Sequence, residues 1–173
     1  MAPELLYQEK MHELLHQLRA QAYLILFVSV FCDQGAVSVP SQPALIGMGV
    51  LIAAGSHSLL LALPIAMAAA FLADLAWYGV GRSFGLAAVE RLTRLRPRWG
   101  MYLARAQSFV IRREWLTFFF SKFAPGPNFV VPLLAGSGRL KLWYFVLADG
   151  VVCATWSFVF IALGYFGAHS AGF

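Results

Sequence analysis

The sequence predicts an all-α polytopic membrane protein with about three spanning helices and two opposed re-entrant helical hairpins. Hydrophobic residues make up 60% of the 173 residues, charged residues make up only 12%, and the mean hydropathy is +0.71. A soluble domain carries about 25% charged residues, so this chain lacks the charge to cover a water-exposed surface. Two long apolar segments and two apolar segments broken by proline and glycine supply the rest of the prediction.

The first segment of the chain is polar, with leucines recurring at helical spacing. This pattern predicts an amphipathic helix over residues 1–21 that lies on the membrane surface. Residues 22–173 then form a single transmembrane domain. Their first apolar run, residues 22–32, is short for a span and is followed by Asp33, so it crosses a membrane only if the helix extends at either end.

Two apolar segments contain residues that break helices. They are residues 40–56 (PSQPALIGMGVLIAAGS) and residues 115–138 (WLTFFFSKFAPGPNFVVPLLAGSG). Prolines and glycines at these spacings prevent a straight span, and irregular backbone at membrane depth is tolerated only inside protein or along a cavity. We therefore expect each segment to form a re-entrant hairpin.

Residues 59–80 and 142–167 are long and apolar enough to span a membrane. Between them, eight of the 13 lysines and arginines fall in the window from Arg82 to Arg113. The positive-inside rule predicts that residues 82–113 form a cytoplasmic basic elbow, next to anionic lipid headgroups. With this orientation, the two hairpins enter the membrane from opposite sides.

The two halves of the chain also resemble each other. Each has a broken segment that ends in Ala-Gly-Ser, followed by a long helix that contains Leu-Ala-Asp. This match aligns Gly55 with Gly136 and Asp74 with Asp149. Broken segments at corresponding places in two inverted halves are typical of a transport site.

Four charges fall inside apolar segments, namely Asp33, Asp74, Lys122 and Asp149. A charge at the membrane centre costs at least about 2.5–3.5 kcal/mol, so each must pair or line a wet cavity. Arg82 follows Asp74 by two turns on nearly the same helix face. The two residues form either a structural ion pair or a proton or substrate-charge site.

Lys122 precedes a backbone break at residues 125–128. Free backbone groups and a cation at such a break suit an anionic headgroup or phosphate. The alternative is a lysine that extends to the membrane interface. Asp149, two or three turns into its helix, is expected to pair with Lys122 or with Lys141.

The sequence has none of the motifs of soluble enzymes: no HExxH, CxxC, GxSxG or P-loop. We therefore expect a protein that is not an enzyme, with no catalytic residue, no metal and no cofactor. A nucleic-acid partner is not expected either, because no binding motif accompanies the basic stretch. Cys32 and Cys153 are expected to be small buried hydrophobic residues.

Several of these stretches together resemble the DedA family, also known as the VTT or SNARE-associated Golgi protein domain. They are residues 40–55, 73–85 (ADLAWYGVGRSFG), 122–126 (KFAPG), 132–136 (PLLAG) and the helix containing Trp156. The resemblance covers about residues 24–167. It implies two re-entrant hairpins that face each other in a bacterial inner-membrane protein. It also implies lipid translocation or scrambling, for example of undecaprenyl phosphate, and dependence on the proton-motive force.

The buried charges and the family motif together give the candidate site residues: Asp33, Gln42, Asp74, Arg82, Lys122, Pro125, Gly126, Asn128 and Asp149. The chain departs from the family pattern at three of them. Gln42 stands where the family usually has glutamate, and Lys122 and Asn128 stand where it has two arginines.

These observations predict a membrane transport protein that translocates or scrambles an anionic lipid, either a phospholipid or undecaprenyl phosphate. One alternative is a proton-coupled antiporter of a small ion or small molecule, which would use the same aspartates. A second alternative is a membrane assembly or homeostasis factor that transports nothing. The expected partners are membrane lipids with anionic headgroups, protons and a second copy of the chain.

Overall fold

The computed structural model describes residue 17 and residues 20–35, 40–95, 122–123 and 128–171. This part of the chain is helical and contains no strand. Its helices are α1 (Ala20–Gln34), α2 (Gln42–Ala53), α3 (Leu59–Phe84), α4 (Leu86–Leu95), α5 (Val130–Ser137) and α6 (Leu142–Ser170). Most of the predicted surface helix, the basic elbow beyond residue 95 and most of the second hairpin before residue 128 lie outside the described residues.

Two of these helices, α3 with 26 residues and α6 with 29, are long and apolar enough to cross a membrane. Their exposed positions include large apolar side chains such as Leu60, Leu147 and Phe166, which suit a lipid environment. The apolar helices α1 and α2 are shorter. A third span and the re-entrant path of the hairpins therefore stay predictions.

Local sequence and one hydrogen bond to α1 explain the start of α2 and both ends of α3. Pro43 in the first turn of α2 lacks the N–H that would be unpaired there in any case. The backbone N–H of Ser58, just before α3, donates a 2.9 Å hydrogen bond to the hydroxyl of Tyr23 on α1. Gly85 ends α3 with a φ of 56°, a conformation that favours glycine.

Helices α2 and α6 touch backbone to backbone. Gly49 of α2 lies against the backbone of Ile161 and Gly164 of α6, and Gly164 lies against the backbone of Ile46. A methyl group at either glycine would come within 3.0 Å of backbone atoms. Glycine is therefore required at both positions, as at other close crossings of membrane helices.

Helices α3 and α5 meet in the same way. Gly81 of α3 lies against the backbone of Leu133, and Gly136 of α5 lies against the backbone of Tyr78. Each short helix therefore packs on the long helix of the other half, and α3 and α6 also contact each other. The charged residues described below lie where α3 and α6 meet.

The two glycine crossings give a residue-by-residue match between the halves. Gly49 corresponds to Gly136, because each is the glycine of a short helix that contacts the backbone of a long helix. Gly164 corresponds to Gly81, because each is the glycine of the long helix at that contact. The predicted alignment of Gly55 with Gly136 is therefore wrong. Gly55 lies in the turn after α2, with a φ of 72°, and has open space where a side chain would be.

The same match changes the partner of Asp74. Asp74 precedes Gly81 by seven residues, and the residue seven positions before Gly164 is Ser157. The predicted equivalence of Asp74 and Asp149 is therefore wrong. The two aspartates are not copies of one position but two different positions that meet in space.

Candidate functional site

A buried salt bridge joins two distant parts of the chain. The ammonium group of Lys122, ahead of α5, donates a hydrogen bond to Oδ2 of Asp74 on α3. The two side chains are 3% and 0% exposed, respectively. Neither charge is hydrated at this depth, so each is stabilised mainly by the other.

Helix α6 adds a second carboxylate and a thiol. Asp149 is 2% exposed, Cys153 is fully buried, and their spacing of four residues puts them on one helix face. The Sγ atom of Cys153 lies 3.6 Å from Oδ2 of Asp74 and 3.6 Å from Oδ2 of Asp149. We call Asp74, Lys122, Asp149 and Cys153 the charge cluster.

Trp156 lies beside the charge cluster on the same helix. The indole is fully buried, and its ring centroid is 6.0 Å from Nζ of Lys122, at the edge of cation–π range. Within the described residues, Oδ1 of Asp74 and Nε1 of Trp156 are buried without a hydrogen-bond partner. Such atoms cost about 1–3 kcal/mol each. As far as the described residues go, the site therefore keeps one unused acceptor and one unused donor.

Arg82 is not part of the charge cluster. It is exposed in the last turn of α3, while Asp74 pairs with Lys122. The predicted pair of Asp74 with Arg82 is wrong, because eight residues of helix separate them by about 12 Å along the axis. Lys141 is likewise exposed, so it is not the buried partner of Asp149.

Lys122 is buried, and its side chain lies in the interior. Its predicted alternative, an ammonium group that extends to the membrane interface, is therefore wrong. The expectation that it meets a headgroup stays a prediction, and in this structure the ammonium group donates to Asp74. An anion that took over this donor would compete with that carboxylate.

The residues of the first hairpin form a separate polar group. Asp33 is half-buried and accepts a 2.6 Å hydrogen bond from the hydroxyl of Ser41, which is fully buried. Gln42 begins α2 and is half-buried. Gln34 is fully buried, and neither of its amide atoms has a partner among the described residues.

The second hairpin supplies fewer described residues. Asn128 is half-buried shortly before α5. Pro125 and Gly126, which belong to the predicted backbone break after Lys122, lie outside the described residues. The structure thus brings Asp74, Lys122 and Asp149 together out of the nine predicted site residues.

Sequence reasoning missed the positions of Cys153 and Trp156 beside the charges, because it expected Cys153 to be a small buried hydrophobic residue and assigned no contact to Trp156. A signal was present, because Asp149, Cys153 and Trp156 recur at helical spacing and so share one face of α6. Gln34 was also missed, although it is a polar residue next to Asp33 at the end of an apolar run.

The charge cluster places two carboxylates around one ammonium group. Its ligand atoms on Asp74, Asp149 and Cys153 lie within 4.8 Å of one another, close enough to surround a cation. Lys122 already supplies a positive charge at this point. Chemically, the cluster can take up a balancing proton, or Lys122 can exchange its carboxylate for another anion.

These features define an integral membrane protein with a charge cluster buried between two helices of spanning length. Residues 39–166 match the VTT domain family, and the chain belongs to that family. The matched range contains both glycine crossings and the whole charge cluster.

Two bacterial relatives illustrate the relationship. The chain is 26% identical over 167 residues to Protein DedA of Escherichia coli, covering 89% of this chain and 72% of DedA. It is 25% identical over 151 residues to a Lactococcus lactis protein named alkaline phosphatase-like protein, covering 83% of this chain and 67% of that protein. No solved structure matches the chain.

Proposed function

We propose that the protein moves an anionic lipid across the bacterial inner membrane and performs no chemical reaction on it. The buried salt bridge between Lys122 and Asp74 carries this proposal. A buried ion pair is seldom a gain in stability over apolar residues of similar volume, and charges inside membrane helices usually serve transport.

The proposed step is an exchange of partners at Lys122. A phosphate group entering between α3 and α6 would take the ammonium group from Asp74, since charge-assisted hydrogen bonds to phosphate are comparably strong. Asp74 would then lose its counter-charge and accept a proton. A carboxylate oxygen of Asp149 lies within 4.8 Å of one of Asp74, so Asp149 would share that proton.

Family membership supports a role in membrane transport in general, and the exposed apolar faces of α3 and α6 give a lipid tail a place to stay in the membrane. The headgroup alone would then pass the charge cluster. Whether the headgroup belongs to a phospholipid or to a polyprenyl phosphate is a matter for the experiment below.

The test is reconstitution of purified protein in liposomes that contain fluorescent phosphatidylglycerol or a fluorescent polyprenyl phosphate, with and without a pH gradient. We expect lipid movement by the unaltered protein and its loss in Asp74→Asn, Lys122→Gln and Asp149→Asn. Lys141→Gln is the matched control, because it removes an exposed cation. Lipid movement that survives in a folded Lys122→Gln variant would overturn the proposal.

A second candidate function rests on the surplus of carboxylates over ammonium groups in the charge cluster. Such a site could bind a proton and a small cation in turn, as an antiporter does. In the same liposomes, a trapped pH dye would report proton release on addition of Na⁺ or K⁺. Proton release without lipid movement would establish this function. If folded protein shows neither activity, the remaining alternative is an assembly factor that transports nothing.

The orientation of the halves has its own test. Ser56 follows α2 and Ser137 ends α5, and the inverted arrangement places them on opposite sides of the membrane. We expect a membrane-impermeant maleimide to label Ser56→Cys and Ser137→Cys from opposite sides. Labelling of both from one side would contradict the opposed hairpins.

A further inference from the structure

A cavity separate from the charge cluster lies in the angle between α3 and α4. Its volume is about 420 Å³. Trp77, Val80 and Phe84 of α3 line one wall, and Ala87 and Ala88 of α4 line the other. The cavity is therefore mostly apolar, which suits a hydrocarbon chain rather than a water-soluble ligand.

A turn at Gly85 and an aromatic contact of Trp77 hold the walls of this cavity in place. Gly85 turns the chain between α3 and α4 with its φ of 56°. The ring of Trp77 stacks on Phe129, just before α5, with centroids 4.6 Å apart. Phe84 is 63% exposed, so the cavity opens toward the surroundings of the helices.

One side of the cavity is basic. Arg91 and Arg94 line it, both are exposed, and their spacing of three residues puts them on the same face of α4. Glu90 also lines the cavity, so the three side chains carry one net positive charge. Two guanidinium groups one turn apart match the oxygens of a phosphate group better than any other common ligand at a membrane surface.

We propose that this cavity binds one anionic phospholipid. Its phosphate lies on Arg91 and Arg94, and the upper part of an acyl chain lies along Trp77 and Phe84. Charge complementarity selects an anionic over a zwitterionic headgroup. The proposal goes beyond the transport function and does not depend on it, because this site shares no residue with the charge cluster.

The experiment measures quenching of tryptophan fluorescence in detergent-solubilised full-length protein by brominated phosphatidylglycerol or brominated phosphatidylcholine. Phosphatidylglycerol is expected to quench at lower concentration, and Trp77→Phe should remove the quenched part of the emission. Arg91→Gln with Arg94→Gln should weaken phosphatidylglycerol binding about 30-fold, as expected for two basic residues at a membrane surface. Arg139→Gln with Lys141→Gln is the matched control and should have no effect, because both cations are exposed elsewhere.

Three results would overturn the proposal. They are equal quenching by the two lipids, equal weakening in the control pair, and unchanged quenching in Trp77→Phe. Glycerol phosphate is added as a competitor, and full displacement at equal concentrations would mean that the acyl chain contributes nothing. Size-exclusion profiles and melting temperatures of all variants show that each is folded, so a loss of binding is a loss at the site.

Discussion

Lys122 and Asp74 lie 48 residues apart in the chain and form one buried ion pair between the segment before α5 and the middle of α3. Trp77 stacks on Phe129 ahead of the glycine crossing on both sides, so α5 and α3 run in the same direction. The ion pair therefore joins the second hairpin to a span-length helix of the first half.

Removing one partner of this pair should destabilise the protein. Breaking a buried ion pair costs about 3–5 kcal/mol, because the remaining charge is uncompensated. We expect Lys122→Gln to cost more than Asp74→Asn, since it leaves two carboxylates together, whereas Asp74→Asn keeps the charge of Asp149 in the same cluster as Lys122. Thermal unfolding in detergent measures both, with Arg82→Gln as the exposed control. The opposite ranking would contradict this geometry.

Asp149→Asn should separate stability from transport. The substitution removes a negative charge that faces Asp74 and leaves the salt bridge of Asp74 with Lys122 in place. We expect a melting temperature equal to or above that of the unaltered protein, with lipid movement lost. A melting temperature as low as that of Lys122→Gln would show that Asp149 is a structural partner instead.

The glycine crossings should tolerate no side chain. Gly81→Ala and Gly164→Ala each force a methyl group against backbone atoms, and overpacking typically costs about 1–3 kcal/mol. Gly47→Ala and Gly79→Ala are matched controls in α2 and α3, because a methyl group there meets nothing within 4 Å. The controls should gain up to about 1 kcal/mol from better helix propensity. Equal melting temperatures for the crossing variants and the control variants would refute the close backbone contacts at Gly81 and Gly164.

Two fully buried serines should respond oppositely to alanine. Ser157 has no hydrogen-bond partner for its hydroxyl within the described residues, whereas Ser41 donates to Asp33. Ser157→Ala should be neutral or stabilising, and Ser41→Ala should lower the free energy of unfolding by about 1 kcal/mol. Chemical unfolding of the two variants side by side checks this. A loss on Ser157→Ala would mean that its hydroxyl has a partner after all.

Much of the charge cluster was predictable because charge is scarce in the sequence. Asp74, Lys122 and Asp149 were selected as charges inside apolar segments, and all three meet. Their pairing was not predictable in the same way. The obvious candidate for Asp74 was Arg82 on its own helix, while the actual partner comes from a segment whose path depends on tertiary packing.

The two halves of the chain are related, but the Ala-Gly-Ser motif aligns them at the wrong residues. Ala-Gly-Ser occurs at both Gly55 and Gly136, but the first occurrence forms a turn and the second forms a helix crossing. In the first half, the glycine that makes the equivalent helix crossing is Gly49, and the sequence around it differs from that around Gly136. Close backbone contact depends on which glycine faces the neighbouring helix. The position of that helix determines this, and the short motif Ala-Gly-Ser does not.

Because each glycine crossing joins a helix of one half to a helix of the other, the two halves of this chain depend on each other as the subunits of a heterodimer do. Cleavage anywhere between residues 95 and 122 would separate α2 and α3 from α5 and α6, and neither fragment would contain a complete crossing. Each fragment would expose a groove shaped for a helix of the other. Fragments produced separately should therefore fail to fold, and fragments produced together should assemble as an obligate heterodimer.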